Sequence, residues 1–161
     1  MKIRKVILFV SIIIGVILVL ILRYYLGKID ISQQSIYEIN WDINIPSDFN
    51  VIYHYKDKHG FQGDGKRYTI FKTEKIYKSP LITLKKDSGE MVTYDGNSDN
   101  VRNYAMEEFI LTITTDLNIP ENNIPQFDRY YIWQKFVQRG NTLIVLYLPS
   151  EHRIYFIEEL F

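Results

Sequence analysis

The sequence contains no cysteine. That absence removes disulfides, thiolate zinc sites, a cysteine nucleophile and the lipid-modified cysteine of a bacterial lipoprotein. Net charge is missing as well, because 19 basic residues balance 19 acidic ones. The balance is uneven along the chain: Lys2, Arg4, Lys5 and Arg23 precede residue 28 and no acidic residue does, which leaves the remainder at −4. A mildly acidic domain lacks the basic face that neutralises phosphates, so no nucleic-acid partner is expected. It equally lacks a polybasic cluster that would hold it flat on anionic lipid.

What the chain does have is a long apolar run. Val6 to Leu22 reads VILFVSIIIGVILVLIL, without a single charge. As a helix this run covers about 25 Å, slightly short of the ~30 Å hydrocarbon core of a bilayer. Tyr24 and Tyr25 suit the interfacial belt, and Arg23 reaches the headgroups by snorkelling. The run is apolar on every face, which a membrane tolerates and a helix half-buried in a water-soluble core does not need. It exceeds the roughly 7–15 residues of a cleaved signal core, and Arg23-Tyr24-Tyr25-Leu26 is a poor cleavage site. The expectation is a signal anchor: a single-pass cell-membrane protein whose partner, through the N-terminal helix, is the lipid bilayer. Lys2, Arg4 and Lys5 place the N-terminus in the cytoplasm and the C-terminal domain outside it.

Three segments follow from this: residues 1–27 as anchor, 28–45 as a tether with a first short strand, and 46–161 as a soluble domain of ordinary size. Ile36, Ile39, Trp41 and Ile43 alternate irregularly, which suggests that first strand. Val51 to Lys58 and Lys66 to Thr73 are rich in Tyr, Ile, Phe and Thr, and three glycines between them supply a wide hairpin loop. Leu81 to Leu84 suggests another short strand, with Lys85 to Gly89 as its turn. Ser98 or Asp99 is expected to cap a helix reaching Leu117, its apolar stripe drawn from Val101, Tyr104, Ala105, Phe109, Leu111, Ile113 and Leu117. Arg129 to Gln138, Thr142 to Leu148 and Arg153 to Leu160 read as strands with connections short enough to force antiparallel pairing. LIVLYL in the middle one predicts a central strand covered on both faces. The fold class is α+β: an N-terminal transmembrane helix, then a two-layer domain of antiparallel β-sheet with one packed helix.

Chemistry-bearing motifs are sparse. Gly60 to Arg67 approaches the phosphate-binding pattern G-x-x-x-x-G-K-S/T, but Arg67 replaces the hydroxyl residue and a strand follows where a helix is required. Asp57 and Asp64 lack the alternating carboxylates and closing Glu of a calcium loop. His54, His59 and His152 form no ligand pair at helical spacing, so no metal site is assigned. Ser98 and Ser150 sit in turns outside any nucleophile motif. Glu107-Glu108 and Glu158-Glu159 read as solvated faces. Tyr130-Tyr131-Ile132-Trp133 is the place for an exposed aromatic patch, although core packing accounts for most of the 13 Tyr and nine Phe. No catalytic residue and no cofactor is assigned; the candidate binding loop is His59, Gly60, Phe61, Gly63, Asp64 and Gly65.

The stretches KDKHGFQGDGKRYTIFK, PQFDRYYIWQKF and TLIVLYLPSEHRIYFIEEL resemble a family of small uncharacterised membrane-anchored or lipoprotein-like proteins of Gram-positive bacteria. That family carries the loop motif D-x-H-G-G-F-x-G-D-G. Asp57, His59, Gly60, Phe61, Gly63, Asp64 and Gly65 match it; one glycine before Phe61 is missing, and an intact anchor stands in place of the lipid-bearing cysteine. The resemblance implies an extracytoplasmic domain on a membrane tether and supplies no activity. The function expected is an extracytoplasmic interaction module with a protein partner at the envelope, of which an immunity-type protein blocking a toxin is one example. The alternative is a small-ligand-binding protein or enzyme built on loop 59–65.

Overall fold

A computed structural model describes residues 14–20, 32–57, 64–78, 80–85, 90–95 and 103–161. The chain divides into two compact units, Met1–Ser32 and Gln33–Phe161. In the first, residues 14–20 are helical and exposed; the rest of the expected span from Val6 to Leu22 lies outside the described residues. Among the described residues no helix is long and apolar enough to cross a membrane.

The second unit is α+β. Its strands are β1 (Ile43–Asn44), β2 (Asn50–Lys56), β3 (Gly65–Lys72), β4 (Thr83–Leu84), β5 (Glu90–Asp95), β6 (Ile132–Gln138), β7 (Asn141–Leu148) and β8 (Arg153–Leu160). Helix α1 (Gln33–Trp41) opens the unit and α2 (Tyr104–Asp116) follows β5. Six strands form one antiparallel sheet in the order β2-β3-β8-β7-β6-β5, while β1 and β4 pair separately. The three C-terminal strands match the runs expected from sequence. Between β6 and β7, Arg139 and Gly140 both take positive φ, +53° and +85°. That is the backbone a two-residue hairpin needs, and glycine supplies half of it without strain.

Alternation along the strands sorts the side chains onto two faces. Leu143, Val145 and Tyr147 of β7 join Ile154 and Phe156 of β8 on one face. Ile144, Leu146 and Leu148 join Tyr155 and Ile157 on the other, where Met106, Ile110, Ile113 and Leu117 cover them. This is the packed helix that was expected, with two differences. Asn103 is its cap, its side chain accepting the Met106 N–H at 3.0 Å, rather than Ser98 or Asp99. The buried row runs through Met106, Ile110 and Ile113, while Tyr104, Ala105 and Leu111 are exposed. Two neighbouring i, i+4 rows are both partly apolar in this segment, and the sheet takes the one beside that read from sequence.

The opposite face is covered too, so the expected two layers become three. Residues 33–41, read as part of a tether, are the helix α1, which buries Tyr37 and Trp41 at i, i+4 against β3 and β8. Asp42 ends it in the left-handed region at φ +52°, a conformation Asp tolerates. Gln34 Nε2 donates to Pro46 O (3.2 Å) and Phe49 O (2.7 Å), and Glu38 accepts the Ile45 N–H at 3.0 Å. A nine-residue helix is marginal by itself, so these tertiary bonds and two aromatic anchors are what hold it. The first short strand survives only as β1, paired with β4.

Gln134 pins the segment before β4 onto this face. Its fully buried Oε1 accepts from Leu81 N (3.1 Å) and Ile82 N (2.8 Å), and its Nε2 donates to Ile82 O at 2.9 Å. Gln134→Leu is expected to cost about 3 kcal/mol, because it strands two backbone donors and one acceptor in the core. Urea denaturation measures it; a change below about 0.5 kcal/mol, the level of an ordinary surface substitution, would refute the pinning role.

Candidate functional site

The hairpin β2–β3 forms as expected, with Lys56 paired to Arg67 across it. Of the candidate loop, His59, Gly60, Phe61 and Gly63 lie outside the described residues. Asp64 is exposed just before β3, and Gly65 begins that strand at φ +112°, a backbone suited to glycine. Asp64 lines a cleft of about 290 Å³ together with Asn40, Trp41, Arg67, Gln138 and Asn141. The loop thus adjoins a concave site at the end of the sheet that meets the C-terminus of α1.

Beside that cleft lies a buried ion pair. Register pairs Arg67 with Glu158 across β3 and β8, and both project to the α1 face. Glu158 has 0% exposure and Arg67 only 13%. Trp41 Nε1 donates to Glu158 Oε1 at 2.6 Å. Glu158 Oε2 sits 3.3 Å from Arg67 Nη1, close enough for Coulomb attraction, yet no hydrogen bond reaches that oxygen. Burial raises the Glu158 carboxyl above the usual carboxylate value, opposed by the Trp41 hydrogen bond and by the Arg67 and Lys56 charges. The reading of Glu158-Glu159 as a solvated pair therefore fails for Glu158. Strand alternation sends only Glu159 outward, to within 3.6 Å of Lys66. Glu107 is likewise buried, on the inner side of α2, where the Tyr131 hydroxyl donates to it at 3.5 Å.

A polar chain continues from the pair along the α1 face. Thr69 Oγ1 is hydrogen-bonded to the Tyr37 hydroxyl and to His54 Nδ1, each at 2.8 Å. Burial lowers the His54 ring below its usual value, and the nearby Arg67 and Lys56 charges lower it further. Tyr37 is pushed far above the normal phenol range, by burial first and the Glu158 charge second. Thr69 and Tyr37 are both buried, so neither hydroxyl reaches a solvent-borne substrate. The chain is bracing for the face, not a nucleophile with its base. Among the described residues no group of three or more His, Asp or Glu could hold a metal ion.

No family model, curated protein or solved structure matches this chain. Its functional reading therefore rests on its own geometry.

A second surface adjoins the cleft. β2 is an edge of the six-stranded sheet and, among the described residues, pairs only with β3. Val51 (43% exposed), Ile52 (46%) and Tyr55 (37%) stand in water along it, and the strand contains no proline. A register shift between Val51 and Tyr53 leaves Ile52 unpaired, a bulge that bends the strand locally. The aromatic run Tyr130-Tyr131-Ile132-Trp133 does not supply such a surface. Tyr131, Ile132 and Trp133 belong to the core, and only Tyr130 is exposed.

Proposed function

We propose that this protein is a membrane-tethered, extracytoplasmic binding module that takes an extended segment of a protein partner along the edge of β2. The observation that carries the reading is that edge: seven residues long, with exposed apolar side chains and no proline. Edge strands present unpaired N–H and C=O groups, and soluble domains usually blunt them with charge, proline or a covering element. β2 carries only the bulge at Ile52 and the terminal Lys56 as such devices, and its apolar stretch suits β-augmentation, in which the partner's main chain supplies affinity and alternate side chains supply specificity. The charge-free run Val6 to Leu22, with basic residues before it, supports the tether and its orientation. The resemblance of loop 57–65 to the motif of small membrane-anchored proteins of Gram-positive bacteria is in keeping with the same placement. An immunity-type protein acting against a toxin at the membrane is one function of this form.

The test uses the full chain in native membranes, with a photo-crosslinking residue at position 55. The expected result is membrane-fraction protein and a specific crosslink that Val51→Lys abolishes. That substitution is exposed and should change stability by no more than about 0.5 kcal/mol. A crosslink unaffected by Val51→Lys overturns the edge as the site. Recovery of the chain in the aqueous fraction overturns the tether.

A further inference from the structure

The edge of β2 leaves the cleft beside Glu158 without a role, and its chemistry is specific. We infer that this cleft binds a small dipolar solute of the α-amino-acid type, its carboxylate on the Arg67 guanidinium and its ammonium on Asp64.

Size comes first. At about 290 Å³ the cleft lies at the lower limit of ligand pockets, roughly 300–1,000 Å³. A space of that size admits a small molecule. Polarity comes next. The lining combines Asn40, Gln138 and Asn141 with Trp41, Leu160 and Phe161, beside one cation, Arg67, and one anion, Asp64. An occupant with two opposite charges matches the Arg67 and Asp64 charges, whereas an apolar one would take water from them without replacing it.

Arg67 decides the class. Its side chain is mostly buried yet lines the cleft, and the carboxylate it pairs with, Glu158, stands 3.3 Å away without a hydrogen bond to the facing oxygen. A guanidinium presents five donors in a planar fork, which a carboxylate fills with two parallel bonds. Glu158 does not use the fork in that way. An incoming carboxylate can, and it then competes with Glu158 for the same positive charge. The groups facing Glu158 are Arg67 on β3, Lys56 on β2, and Trp41 and Tyr37 on α1. With Arg67 claimed by the ligand, the Trp41 hydrogen bond and the exposed Lys56 are left to oppose burial of the Glu158 charge. Binding therefore moves Glu158 further toward its protonated form, with uptake of protons from solvent.

Isothermal titration calorimetry of the full chain in detergent, with the standard α-amino acids and their carboxamides as probes, tests this. The expected result is saturable binding of at least one amino acid. Its carboxamide binds at least about tenfold more weakly, a loss near 1.4 kcal/mol. The heat varies with the ionisation enthalpy of the buffer, with the sign of proton uptake. Asp64→Asn, exposed and therefore safe for folding, weakens binding by a similar factor. Glu158→Gln binds at least as tightly as the native chain and takes up no proton. No binding by any amino acid up to about 10 mM, far weaker than a site of this kind requires, overturns the inference. So does equal affinity for acid and carboxamide, or an Asp64→Asn variant that binds unchanged.

Discussion

Replacing Trp41 by alanine is expected to lower the unfolding free energy of the domain by about 3–5 kcal/mol. Two effects combine. The indole is buried against β8 and the core residues around Tyr37 and Phe156, so its removal opens a cavity that the sheet cannot close. Its Nε1 is also the hydrogen-bond donor to buried Glu158 Oε1. Losing it strands a carboxylate oxygen, at about 1–3 kcal/mol. Trp41→Phe separates the two, keeping most of the bulk while removing the donor, and should fall between native and Trp41→Ala. Chemical denaturation of the three proteins gives the ranking. If residues 33–45 were a solvent-bathed tether, both substitutions would stay within about 0.5 kcal/mol of the native chain.

The ion pair gives the second large effect. Arg67→Met leaves Glu158 buried beside no close cation, and breaking a buried pair from one side costs about 3–5 kcal/mol. Arg67→Met combined with Glu158→Leu should recover most of that loss, because the two apolar groups no longer require solvation. A double-mutant cycle by urea titration measures the coupling, and additive losses would show that the pair is not a unit. The pH dependence follows from the direction of the Glu158 shift. Its folded-state value lies above the ordinary carboxylate value, so the folded chain holds this proton more tightly than the unfolded one. The stability it contributes is complete below the ordinary carboxylate range and declines as pH rises through the raised value. The Arg67→Met penalty should accordingly shrink in acid, where Glu158 is neutral. Asp48 works in the opposite sense. Burial tends to raise it, but hydrogen bonds from Thr73 and Tyr77 outweigh burial and hold it below the usual carboxylate value. Its contribution is present above the ordinary range and lost as pH falls through the lowered value.

Much of the sheet was legible from sequence because its signals are local. Alternation and short turns identify β6, β7 and β8, and the glycines between residues 60 and 65 identify the β2–β3 hairpin. Helix α1 was not legible. Its two buried positions, Tyr37 and Trp41, are too few for a periodic pattern, and the exposed Ile39 imitates a strand. Strand β5 carries the sequence EMVTYD and takes its place by pairing with β6, a long-range partner that local pattern does not reveal. The cleft was half legible. The loop motif indicated Asp64, but Arg67 appeared only as a defect in a phosphate-binding pattern and Glu158 as half of a solvated pair. The missed signal was available: in IYFIEEL, a strand flanked by apolar residues on both faces must turn one of two adjacent acids inward. Arg67, Trp41 and Glu158 are remote in sequence, 117 residues separating the last two, so only the folded sheet brings them together.

β8 follows every other strand in chain order, yet it lies third of six in the sheet, joined to β3 on one side and to β7 on the other. Before it is in place, the β2–β3 hairpin and the β5–β6–β7 meander share no ladder. A nascent chain lacking residues 153–160 thus carries two unfinished sheets, with β3 and β7 as raw edges open to wrong partners. Joining them takes the long-range β3–β8 ladder, and pairing over such a sequence separation is intrinsically slow. During biogenesis this architecture would favour a chaperone that shields those edges until the last strand inserts.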